Sequence, residues 1–79
     1  SEEFIYLKEY ISANEDIKKE VGGVKTISVI RKRSFSSINN DGESYWYQVD
    51  IIGGSKNIDK RFFIIKSEGG EYTIKLDDS

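Results

Sequence analysis

The stretch that decides the fold is EEFIYLKEYISANEDIKKEV, residues 2–21, followed at once by Gly22-Gly23. Apolar side chains recur in it at Phe4, Leu7 and Ile11, and at Tyr6, Tyr10, Ala13, Ile17 and Val21. Spacings of three and four residues gather them into one broad helical stripe, while Glu3, Lys8, Glu9, Glu15, Lys18 and Lys19 take the remaining surface. Glu2 and Glu3 stand at the positive end of the backbone dipole. A glycine after Val21 supplies the left-handed residue on which helices commonly stop. Ser12-Ala13-Asn14-Glu15 fits a capping box, so the reading is one kinked helix or two consecutive ones, the second capped by Asn14. The polar face mixes acids with bases, which argues against a helix lying on a membrane surface.

A helix with one greasy stripe needs an apolar floor, and the rest of the chain supplies it. All seven glycines fall between periodic segments, as Gly22-Gly23, Gly42, Gly53-Gly54 and Gly69-Gly70, and there is no proline. This punctuation marks strands over residues 24–35, 43–52, 61–66 and 71–76. Asn39-Asn40-Asp41-Gly42 reads as a turn, because Asn and Gly tolerate positive φ, and residues 53–60 read as a polar loop. Connections this short join antiparallel neighbours. The expected fold is therefore α+β, a kinked or split N-terminal helix packed on a four-stranded antiparallel meander sheet. Its core draws on the helix stripe, on Ile27, Val29, Tyr47, Val49, Ile51, Tyr72, Ile74 and Leu76, and on one of the pairs Phe62/Ile64 or Phe63/Ile65.

Such a sheet should be polar on its second face, and this one is only partly so. Ile30, Trp46, Ile52 and one residue from the third strand's outward pair, with Phe63 the candidate, are left over as a candidate protein-contact face. Each large apolar side chain buried gains roughly 1.5–3 kcal/mol, which favours covering that face with a protein partner, a dimer mate or a further segment of the protein.

With 79 residues and a net charge of −2, the chain makes a single domain with no global pull toward nucleic acid or anionic lipid. It has no cysteine and no histidine, which removes disulfides, thiolate chemistry, the usual base-and-nucleophile pairs and the commonest ligands of zinc and copper. Carboxylate pairs survive as candidates at Glu15-Asp16, Asp41-Glu43 and Asp77-Asp78, but they fall at a helix start, in a turn and at the tail, where acids serve capping and solubility. The expectation is no enzyme, no cofactor and no metal. Residues 24–33 carry four positive charges and no acid, whereas residues 1–23 carry six acids and three bases. Arg31-Lys32-Arg33 with Phe35 and Trp46 nearby mimics an aromatic-plus-basic nucleic-acid surface. The overall balance favours a guarded strand, or pairing with the helix acids, over nucleic-acid binding. No apolar run reaches the length of a membrane span, so no membrane contact is expected of this segment, and the absent methionine suggests a processed or partial chain.

The order of signals also resembles a known family. Asn14-Glu15-Asp16-Ile17-Lys18-Lys19-Glu20-Val21-Gly22 leads into Val24-Lys25-Thr26-Ile27, then Tyr47-Gln48-Val49-Asp50-Ile51-Ile52-Gly53, then Glu68-Gly69-Gly70-Glu71-Tyr72-Thr73-Ile74. This is similar to the cytochrome oxidase complex assembly factor one family and its bacterial relatives, small domains with a cystatin-like helix-on-sheet fold. Val21 stands where that family has leucine and Tyr72 where it prefers tryptophan. The resemblance implies a non-catalytic accessory domain, extracytoplasmic and in many members tethered to a membrane, acting through protein contacts; it carries over no catalytic residue. Two alternatives stay open. One is a cystatin-like domain holding an apolar ligand between helix and sheet near Tyr6, Tyr10, Tyr47 and Tyr72, and the other an immunity or inhibitor protein.

Overall fold

Asn14 splits the amino-terminal helix in two. Its backbone is extended (φ −78°, ψ 113°), and its side-chain oxygen accepts the Ile17 N–H at 3.0 Å, capping the second helix. In the computed structural model, which describes residues 1–36 and 42–78, the order is α1 (Glu2–Ala13), α2 (Glu15–Val21), β1 (Val24–Ser36), β2 (Glu43–Gly53), β3 (Asn57–Lys66) and β4 (Tyr72–Leu76). The strands pair antiparallel in the order β1-β2-β3-β4, and both helices lie on one face. This is the α+β meander expected from the glycine punctuation.

Burial follows the layers. Leu7 and Ile11 of α1 and Ile17 and Val21 of α2 meet Tyr47, Val49 and Ile51 of the inner strand β2 and Phe62 and Ile64 of β3. The third strand's ambiguity is thereby resolved: Phe62/Ile64 lie under the helices, and Phe63/Ile65 on the open face. At the far end of α2, Gly22 takes the left-handed conformation (φ 75°), and the β2–β3 turn caps the helix. The Ser55 N–H donates to Val21 O at 2.8 Å, and the Gly54 N–H to Gly23 O at 3.1 Å. Gly53 permits this approach, since a Cβ there would lie 2.2 Å from Val21 O.

Four expectations need correction. Val29 and Leu76 are 43% exposed, not core: they sit on the edge strands β1 and β4, and the helices bury β2 and β3. Glu3 is buried, not on the wet side of α1. Tyr6, Tyr10 and Ala13, placed on the buried stripe, are exposed to varying degrees. Residues 57–60, read as loop, form the start of β3, where Asn57 to Lys60 pair with Ile52 to Val49; sheet pairing outweighs their weak strand propensity. Of the expected turn, Asn39, Asn40 and Asp41 lie outside the described residues.

Candidate functional site

A bulge in β1 sets up the open face. The register runs Val29 opposite Val49 and then Arg31 opposite Gln48, so Ile30 is an extra residue. Unbroken alternation would keep Arg31 and Arg33 on the side of Ile27 and Val29. The extra residue hands Arg31, Arg33 and Phe35 to the open face and turns Lys32 toward the helices. One cross-strand row on the open face then reads Arg33, Trp46, Phe63, Lys75, and the next Phe35, Ser44, Ile65, Thr73.

Arg33, Phe35, Trp46 and Phe63 line an open apolar groove of about 310 Å³. Phe35 is 50% exposed and Phe63 40%, with Ile65 alongside at 37%. Trp46 is half-buried, and its indole N–H donates to the Asp77 carboxylate at 2.8 Å, which fixes one end of the ring. Toward the other end of the sheet the face turns polar, with Gln48 donating to Asp59 at 2.8 Å and Asp50 beside it.

Of the four residues expected at a contact face, Trp46 and Phe63 are brought together as direct cross-strand partners. Ile52 is half-buried six residues along β2 from Trp46, roughly 20 Å away at strand spacing. Ile30, 53% exposed, sits at the bulge. Arg33 and Phe35 complete the groove. The sequence sets Arg33 and Phe35 near Trp46 as an aromatic-plus-basic surface, but period-two reading does not put them on the protein-contact face, because nothing in the run Val29-Ile30-Arg31 announces an inserted residue.

The second distinctive cluster lies under α1. The Tyr47 hydroxyl donates to the buried Glu3 carboxylate at 2.8 Å, Lys32 Nζ stands 3.1 Å from the same carboxylate, and Ser1 Oγ is 3.2 Å from the Tyr47 hydroxyl. Burial pushes the Glu3 carboxyl up. Hydrogen bonds from Tyr47, a backbone N–H, Lys32 and Ser1 outweigh it and hold the group at about 2. The same carboxylate raises Lys32, and burial raises the Tyr47 hydroxyl. Phe4 stacks on Tyr47 at 5.6 Å. The cluster fastens α1 to the sheet, and Lys32 thus pairs with a helix acid.

The tyrosines considered for an apolar ligand are engaged with other rings. Tyr6 stacks on Tyr72 at 4.5 Å, and Tyr10 meets Phe62 edge-on at 6.0 Å. The cleft beside Tyr10, Ile17 and Leu76 measures about 170 Å³, below the roughly 300 Å³ at which small-molecule pockets begin. Glu15 pairs with Lys18 at 3.0 Å, and Glu43 accepts the Tyr45 hydroxyl. Among the described residues, no three or more carboxylates gather to hold a metal ion, and no helix is long and apolar enough to cross a membrane.

No family model, no curated protein and no solved structure matches the chain.

Proposed function

We propose that the chain is a non-catalytic accessory domain that works by protein contact through the open face of its sheet. The observation that carries this reading is the groove itself: three aromatic side chains from three adjacent segments, Phe35, Trp46 and Phe63, stand together on the face the helices leave uncovered. Clustered aromatics beside an arginine have the composition of protein-contact centres, where Trp, Tyr and Arg supply most of the binding energy. The family resemblance supports the same reading and adds a location, an extracytoplasmic domain of a secreted or membrane-tethered protein.

The test is a photoreactive residue placed at Phe63 in the full-length protein in its own cells, with the same residue at Ile5 as control. Ile5 is equally apolar and 52% exposed, but lies on α1. Discrete adducts should form from position 63, fail to form from position 5, and disappear when Trp46→Lys is added. Adducts of equal yield from both positions would remove the reading.

A further inference from the structure

We infer that the outer edge of β1 takes an acidic, extended segment of another protein as a fifth strand, with an apolar side chain of that segment seated between Phe35, Trp46 and Phe63. This deepens the contact-face reading and rests on it.

Three observations select the occupant. First, β1 is a 13-residue edge strand whose sheet partner among the described residues is β2 alone, so its outer edge can template another strand. The opposite edge, β4, has five residues and is followed by Asp77 and Asp78. Second, the cations by β1 are available. The ion pairs of the described residues are Lys18–Glu15, Lys32–Glu3 and Lys56–Glu20, which leaves Arg31 and Arg33 unpaired there. Third, the groove adjoins that edge, because Arg33 and Phe35 belong to β1. A strand added about 4.8 Å outside β1 would set its open-face side chains against these two residues, within reach of the ring cluster.

Charge also decides against the competitors. A second copy pairing through β1 would leave Arg31, Lys32 and Arg33 without a compensating charge across the new ladder, because residues 24–36 contain no acid. A nucleic-acid strand on the face would meet Asp77 at the end of the Trp46 ring and Asp50 and Asp59 beyond Gln48, which repel its phosphates.

The experiment uses a ten-residue peptide, Thr-Glu-Thr-Glu-Thr-Leu-Thr-Glu-Thr-Glu, in which carboxylates and a leucine share one strand face as Arg31, Arg33 and Phe35 do, together with its Lys-for-Glu counterpart and a ten-nucleotide oligothymidylate. Trp46 emission is read as the only tryptophan signal, together with hydrogen exchange of the β1 amides. The acidic peptide should bind at least tenfold tighter than the basic one, weaken as salt rises, and protect β1 amides. That preference should vanish in Arg31→Glu/Arg33→Glu and persist in the charge-matched control Lys8→Glu/Lys19→Glu, with circular dichroism confirming that both fold. Equal affinity for the two peptides, binding without β1 protection, or tighter binding of the oligonucleotide overturns the inference. Position-63 adducts that survive the double arginine reversal overturn the acidic strand alone, whereas absence of those adducts in the unaltered protein overturns the contact face beneath it.

Discussion

The Tyr47 hydroxyl donates to the Glu3 carboxylate at 2.8 Å, joining the first turn of α1 to the inner strand β2, and Lys32 of β1 closes on the same carboxylate at 3.1 Å. Three elements therefore meet at one buried charge. Removing one partner of such a group is costly because the others stay behind unsatisfied.

Stability should fall steeply in acid. The Glu3 carboxyl sits at about 2 in the folded protein against an ordinary 4.5, so it favours the folded state above pH 4.5, and that contribution is lost as pH falls toward 2. The full span is on the order of 3 kcal/mol. Urea denaturation at pH 7 and pH 2.5 should show Glu3→Gln markedly less stable than the unaltered protein at pH 7, with most of that gap, though not all of it, gone at pH 2.5. A constant gap between the two would show that the carboxylate is not held as described.

Asn14→Ala should destabilise by about 1 kcal/mol through loss of the cap on Ile17, and Asn14→Asp should restore most of it. Chemical melts of the three proteins decide this, and an unchanged midpoint for Asn14→Ala would place the start of α2 under other control.

Two glycine replacements separate crowding from backbone strain. At Gly53 an added Cβ meets Val21 O at 2.2 Å and Val21 Cβ at 2.4 Å, so Gly53→Ala must push α2 off the turn, at about 1–3 kcal/mol or more. Gly23 has φ 82° but open space around it, so Gly23→Ala carries only the left-handed penalty of roughly 1–2 kcal/mol. Thermal melts should rank Gly53→Ala as the worse, and exchange of the Ser55 amide should rise in that variant only.

Leu7→Ala empties a fully buried site under α1 and should cost about 2–5 kcal/mol, enough to unfold much of a domain this small. Ile5→Ala, on the exposed side of the same helix, should stay within about 0.5 kcal/mol. Comparable losses from the two would mean that α1 is rotated on the sheet.

The layer order was readable from the chain because glycine pairs and apolar period coincide. Leu7, Ile11, Ile17 and Val21 all fall on the buried stripe, and Asn14 carries its own capping chemistry. Burial at the edges was not readable: Val29 obeys the strand period, yet nothing in sequence says that the helices bury the two inner strands. Glu3 looks like an ordinary helix-start acid, and only the approach of Tyr47 and Lys32, more than twenty positions away, draws it inward. The groove was half legible. Trp46 follows from alternation, Phe63 only once the helices are seen to cover Phe62 and Ile64, and Arg33 and Phe35 take their face from a bulge that leaves no compositional mark.

The ring of Tyr6, in α1, lies 4.5 Å from that of Tyr72, which opens β4. During synthesis α1 emerges before the strands that receive it: Leu7 and Ile11 find their cover only when β2 and β3 have left the ribosome, and Tyr6 finds Tyr72 later still. A nascent chain halted before β2 would hold a helix with nowhere to dock, and the cell's chaperones would meet it in that state.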